Sequence, residues 1–471
     1  MRRPLVAAAV TLAMTVPLLG TSPALAERYG PGSTQGGEPY FPQAGNGGYD
    51  VAHYGLGLRY DPSTGRLDGT AVITLTATAD LDSFSLDLRG LTVSTVLVDD
   101  KRATFEQLPP PADGRGGELV IHPRPKLKAG SEHVVTVVYG GVPGKPTDIE
   151  DAYYGFVSFP DGAFVANEPE GASTWYPVND VPTDKATYDF VISVPEGKTA
   201  IANGELVGKP LTSHGRTTYV WHAGDPMASY LSTASIGDYT MSTQVGPHGL
   251  PIYNFVERDL TARNRATTEA SLALQPQMIA FFEGIYGPYP FSSFGAIVDD
   301  DSVGYALETQ TRPVYSRAAS ESTVAHELAH QWVGDSVTPE SWTDIWLNEG
   351  FATYSEWLWD ESRGGATVQQ RFDEVYATPE GDELWTVPPG DPSPQTLFAS
   401  STYDRGAAAL QALRTEVGDA DFFTILERWT TENEDGNVTT ADFVALTEQV
   451  SGQQLGAFFD AWIYRTTKPA L

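Results

Sequence analysis

The stretch Val324-Ala325-His326-Glu327-Leu328-Ala329-His330-Gln331-Trp332 decides how the chain is read. Its pattern predicts a helix over 320–334. Four residues apart, His326 and His330 project from one face and can grip one cation. Two imidazoles with an oxygen donor suit Zn²⁺. Glu327, directly after the first imidazole, is placed to act as general base on a water at the metal. The chain has 8 histidines, and only these two lie beyond His248. A catalytic zinc needs three protein ligands and one open position. The next predicted helix, 342–361, carries Trp346-Leu347-Asn348-Glu349-Gly350-Phe351-Ala352, with 18 residues between His330 and Glu349. A turn that folds this helix back lets Glu349 complete the set, so one Zn²⁺ per chain is expected. Gly350 costs about 1 kcal/mol inside a helix relative to alanine, which points to close backbone packing there.

Around this core the second half of the chain reads as helical. Segments 262–286, 406–417, 420–434, 439–450 and 454–465 join the two zinc helices, with a strand near 294–298. Thr439 with Asp442 forms a capping-box pattern, and Gly334 reads as a helix stop. Asn437-Val438-Thr439 fits a glycosylation triplet. Asp299-Asp300-Asp301 is read as a solvated loop before Gly304, because consecutive aspartates lack the alternating spacing of a calcium loop.

The first half is different. Tyr54, Leu56, Leu58 and Tyr60 alternate with their neighbours, as do Phe84, Leu86 and Leu88. Residues 49–240 are therefore expected to form an antiparallel β domain, sandwich-like, with one face packed inward. Residues 27–48, rich in Gly and Pro, read as a linker or extended arm. Arg2-Arg3, the apolar run Leu5–Leu19 and Ala24-Leu25-Ala26 read as a secretory signal peptide over 1–26. The expected division is thus 1–26, 27–48, 49–240 and 241–471, a multi-domain α+β protein secreted from the cell.

Composition narrows the partners. Without Arg2 and Arg3, 27 basic residues face 61 acidic ones, a net charge near −34. Nucleic acid and anionic membranes are poor partners for such a surface. There are no cysteines, which excludes disulfides and thiolate–zinc sites. No later segment is long and apolar enough to span a membrane.

HELAHQWVGDSV followed by WLNEGFATYSEWLW resembles the aminopeptidase N family of gluzincin metallopeptidases. Gly304-Tyr305-Ala306-Leu307-Glu308 is similar to the family's G-x-M-E-N strand, and Tyr403-Asp404-Arg405-Gly406-Ala407 to its Y-[ED]-[KR]-G-A segment. Ala166-Asn167-Glu168-Pro169-Glu170-Gly171 resembles its Q-x-E element. The order of elements agrees over roughly 49–471. The resemblance implies a thermolysin-like, mainly helical zinc peptidase domain behind the β domain, acting on the free N-termini of peptides or proteins. It implies that Tyr403 donates to the tetrahedral oxyanion and that Glu308 and Glu168 hold the substrate's α-ammonium. Gly304 and Ala306 would line the substrate strand. Leu307 stands for the usual Met, Thr309 for the usual Asn, and Ala166 for a frequent Gln. The chain stops 68 residues after Tyr403, so a helical cap is expected to be missing and the cleft open. An epoxide hydrolase, an endopeptidase and a non-catalytic binding protein are the competing readings. Oligomeric state and preferred first residue are not legible.

Overall fold

Alternating burial over residues 49–77 builds the centre of the N-terminal half. In the computed structural model, which describes residues 29–110, 116–147 and 152–471, Tyr54, Leu56, Leu58 and Tyr60 are all buried. The segment expected to be a signal peptide lies outside the described residues. Strand Tyr49–Asp61 pairs antiparallel with Arg66–Ala77, which pairs antiparallel with Glu132–Gly141. On its other side it runs parallel to Ala186–Pro195. The sheet is therefore mixed, not purely antiparallel. The reason is topological, since the two parallel partners are separated by more than a hundred residues of crossover that build the other layers. A four-stranded sheet holding Leu81–Asp87 and Glu118–His122 supplies a second layer. Another holds the hairpin Gly155–Ser158 and Ala163–Ala166, which hands the following Glu168 to the cleft.

The second half opens at strand Tyr239–Val245, which already belongs to another five-stranded sheet. Its order is Tyr239–Val245, Pro251–Glu257, Phe294–Asp299, Val314–Ser316, Ala306–Leu307. Helices follow: α1 (Ala262–Leu272), α2 (Gln275–Tyr286), α3 (Glu321–Ala329), α4 (Trp346–Ser362), α5 (Val368–Tyr376), α6 (Glu383–Thr386), α7 (Gly406–Val417), α8 (Asp419–Glu432), α9 (Thr440–Ser451) and α10 (Gly456–Phe459).

Several expected boundaries move for local reasons. The helix read over 262–286 is two, because Pro276 starts a new helix where it has no N–H to give. The helix read over 320–334 ends at Ala329 with His330 as its cap. Gly334, at φ +124°, lies in the turn beyond. The capping box predicted at Thr439 and Asp442 is formed, and a second, Thr367 with Gln370, starts the unforeseen α5. Asn437 of the glycosylation triplet spends its amide on the carbonyls of Pro182 and Pro339.

Residues 29–48 do not form a free linker. Glu38 accepts the backbone N–H groups of Tyr40 and Trp342, and the Asn46 N–H donates to Asn179. The arm thus ties the β domain to the start of α4. The same junction is clamped by Lys185, whose ammonium donates to the carbonyls of Asp335, Ser336 and Gly436 at 3.2, 2.8 and 3.0 Å. Among the described residues, no helix is long and apolar enough to cross a membrane.

Candidate active site

Helix α3 starts cleanly because the Ser320 hydroxyl accepts the Thr323 N–H. Its buried face carries Val324, Ala325 and Leu328 into the catalytic core, which turns His326 and His330 towards the cleft. Helix α4 crosses beside it and brings up Glu349. The Glu349 Oε2 lies 3.0 Å from His326 Nε2 and 3.4 Å from His330 Nε2. Ligands about 2.0–2.1 Å from a tetrahedral zinc stand about 3.3 Å apart, which these separations match. The other ring nitrogens are held from outside. His326 Nδ1 lies 2.7 Å from Glu356 Oε1, and His330 Nδ1 lies 3.0 Å from the Val333 carbonyl. With both Nδ1 atoms held from outside, both Nε2 atoms face Glu349 and are the ones a metal would take. Such a donor set fits Zn²⁺.

The electrostatics fit a cation as well. Burial alone would raise Glu349, but His330 and His326 override it and hold that carboxyl at about 2. Burial alone would lower His330, yet Glu308 and Glu349 lift it to about 8. Glu327, buried behind the pair, is pushed up to about 8 by burial, opposed by the two imidazoles and reinforced by Glu308 and Glu349. A site with this many buried carboxylates demands positive charge.

The remaining predicted residues line one cavity of about 480 Å³ around this centre, among them Glu168, Gly304, Ala306, Glu308 and Tyr403. The carboxylates of Glu168, Glu308 and Glu349 lie within 4.8 Å of one another. Glu308 Oε1 and Glu168 Oε1 are both buried without a hydrogen-bond donor among the described residues. Burial raises both carboxyls, and for Glu168 the neighbouring Glu308 adds most after that. Tyr403 sits on a π-helical turn, Ser401–Arg405, and stacks on His326 with ring centroids 6.1 Å apart. That turn is docked by two glycines. A Cβ at Gly350 would lie 2.9 Å from Gly406 Cα, so neither position admits a side chain without parting α4 from α7.

Other residues of the motifs serve elsewhere. Asn167 faces the core, where its amide donates to Ser232 and accepts from Trp175. Ala166 and Leu307 are buried in the hydrophobic core, and neither lines the cavity. Gln331 links the zinc helix to the substrate strand, donating to the Glu308 carbonyl and accepting the Thr311 N–H.

Four contributors were not foreseen. Glu356 orients His326, and its position seven residues after Glu349 on the same helical face was the available signal. Glu170 lines the cavity, pinned by Arg89 at 3.6 Å and Tyr154 at 2.8 Å. Phe41 reaches the cavity from the arm, and Phe398 from the loop before Tyr403. Nothing in the local sequence marks those two.

Comparison with known proteins gives the same picture. Residues 51–231 match the peptidase M1 N-terminal domain and residues 297–462 the peptidase family M1 domain. The chain is 29% identical to an M1 zinc metallopeptidase from Deinococcus radiodurans, with TM-score 0.83, covering 92% of this chain and 98% of that one. A mutant metallopeptidase of the same organism, bound to a Tyr-Ser-Ala substrate, is 27% identical, with TM-score 0.83 and coverage of 92% and 99%. Glutamyl aminopeptidase of Bos taurus is 26% identical over 332 residues, 65% of this chain. The chain spans about a third (34%) of that relative's length. The paired imidazoles with Glu349, the two matched domains and this structural likeness agree: the chain belongs to the aminopeptidase N family of zinc metallopeptidases, peptidase family M1.

Proposed function

We propose that this chain is a secreted zinc aminopeptidase that removes residues from the free N-termini of peptides. One observation carries the reading. Glu308 and Glu168 present buried, unpaired carboxylate oxygens to a cavity beside a two-His, one-Glu centre. Leaving such groups unsatisfied is expensive, and a substrate ammonium supplies donors and charge together. An amine fixed there sets the first peptide bond, not an internal one, against the metal centre. The bound Tyr-Ser-Ala of the Deinococcus relative supports a peptide ligand.

The division of labour follows from position. His326, His330 and Glu349 would hold the ion, which on binding acidifies water and polarises a carbonyl. Glu327 takes the proton of the attacking water and passes it to the departing amine. Burial raises this carboxyl, and a cation held beside it would favour its ionised, proton-accepting form. The Tyr403 phenol, raised well above its ordinary value by burial and then by Glu349, stays protonated and donates to the developing oxyanion.

Glu327→Gln preserves shape and hydrogen bonding but cannot accept a proton. The variant is expected to keep its zinc while kcat falls about 100-fold or more. Peptides with a free N-terminus should be cut, and their N-acetylated forms should not. Efficient cleavage of the acetylated peptides would sink the aminopeptidase reading. Normal turnover by Glu327→Gln would move the base elsewhere.

A further inference from the structure

A second cluster of acidic side chains stands apart from the zinc ligands, at the outer end of the catalytic sheet. Strands Pro251–Glu257 and Phe294–Asp299 run parallel, with Val256 paired to Val298, so Glu257 and Asp299 leave the sheet side by side. The turn of the β-domain hairpin, between Ser158 and Ala163, brings Asp161 against them. Carboxylate oxygens of Asp161, Glu257 and Asp300 lie within 4.8 Å of one another, and so do those of Asp299, Asp300 and Asp301. Oxygens about 2.4 Å from a common centre are at most about 4.8 Å apart, the span one calcium ion closes.

The cluster is more than a solvated acidic loop. Glu257 is only 1% exposed, and its Oε2 is buried with no hydrogen-bond donor among the described residues. Its Oε1 accepts the Arg258 N–H at 3.2 Å. Asp299 is also buried; it accepts from the Tyr239 hydroxyl and, at 2.9 Å, from the Asp301 N–H. Lys145 and Arg317 favour the charge on Asp301, and Lys198 pairs with Asp238 at 2.6 Å. Burial, then the proximity of Asp299, lifts Glu257 to about 8. Burial puts Asp299 and Asp301 at about 6. The expectation of a plain surface loop therefore fails for Asp299. Consecutive aspartates do lack calcium-loop spacing, but the missing ligands come from two other segments.

We propose that Asp161, Glu257 and Asp300, with Asp299 and Asp301 around them, form a calcium site distinct from the zinc centre. An all-oxygen, all-carboxylate donor set suits Ca²⁺ and lacks the nitrogen donors that favour zinc. The ion would join the β-domain hairpin to the catalytic sheet. It would also fix the segment Asp300–Val303, which runs directly into Gly304 and the substrate strand ending in Glu308.

The test uses the zinc-loaded full chain in calcium-free buffer at constant ionic strength. Calcium should raise the Tm saturably, and terbium should bind with luminescence sensitised by the neighbouring Tyr239. Glu257→Gln replaces the buried carboxylate, and Asp161→Asn, in the hairpin turn, tests the same site without touching the core. Each should weaken calcium binding by about tenfold or more, with zinc content by elemental analysis unchanged. A wild-type Tm indifferent to millimolar calcium would overturn the site. So would an equal response to magnesium, or an undiminished calcium response in both variants.

Discussion

Gly350→Ala tests whether the contact between α4 and α7 sets the geometry of catalysis. The new Cβ would meet Gly406 Cα at 2.9 Å and Gly406 C at 3.0 Å, both backbone atoms that cannot rotate aside. Carbon atoms rest at about 3.5 Å or more, so the helices must part by about 0.6 Å. Overpacking of this kind costs about 1–3 kcal/mol. Alanine returns about 1 kcal/mol of helix propensity, which leaves a net loss of roughly 0–2 kcal/mol. The fold survives that. The site does not survive it unchanged, because Gly406 directly follows the π-helical turn that carries Tyr403, while Gly350 adjoins Glu349. A misplacement of about 0.6 Å between a metal ligand and an oxyanion donor should lower kcat by about 10-fold or more. The assay is kcat and KM on an aminoacyl-anilide, beside zinc content and Tm. The expected outcome is full zinc, a Tm lower by at most a few degrees, and a kcat defect. Wild-type kcat with a raised Tm would refute the reasoning, since it would mean the helices part freely and propensity alone was felt.

Glu356→Ala removes the acceptor that holds His326 Nδ1 at 2.7 Å and should weaken zinc binding by about 10–100-fold, read by competition with a chelating dye. An unchanged affinity would make Glu356 a bystander. Phe41→Ala removes an aromatic wall contributed by the arm; losing about 1–2 kcal/mol of apolar contact should raise KM for peptides by about 5–30-fold. An unaltered KM would place the arm outside substrate recognition. Stability should fall as pH rises. Burial lifts Glu118 from 4.5 to about 8 and Asp184 from 3.8 to about 7. Both are therefore protonated more readily folded than unfolded, and their contribution, complete below the unfolded values, is lost towards pH 7–8. Tm measured at saturating zinc should decline from about pH 6 to about pH 8, less steeply in Glu118→Gln; a flat profile would contradict this.

What the sequence makes legible is whatever repeats at a helical or strand period or is bound by fixed chemistry. His326, His330 and Glu349 stand out because a metal restricts both residue type and spacing, and Gly350 because glycine inside a helix carries a cost that some contact must justify. The β domain is legible through the alternation around Tyr54–Tyr60, but its parallel pairing is not. A strand's own residues do not say which distant partner lies beside it, and here the partner begins at Ala186. Pro276 could have been read as a new helix start, since its ring cannot serve a helix interior.

The contributions that stay hidden come from segments whose composition looks uninformative. The Gly- and Pro-rich arm reads as a linker because backbone contacts leave little trace in residue type. Yet Glu38 receives the N–H groups of Tyr40 and Trp342, and that anchoring is what delivers Phe41 to the cavity. Asp299–Asp301 is hidden for a related reason. Judged along the chain, it lacks calcium spacing, and only the fold adds Asp161 from one domain and Glu257 from another strand. Linear spacing identifies a site when one or two adjoining elements supply its ligands, as with α3 and α4. It fails when the ligands come from elements far apart in sequence, where the same carboxylates look like surface charge until the strands that carry them are brought together.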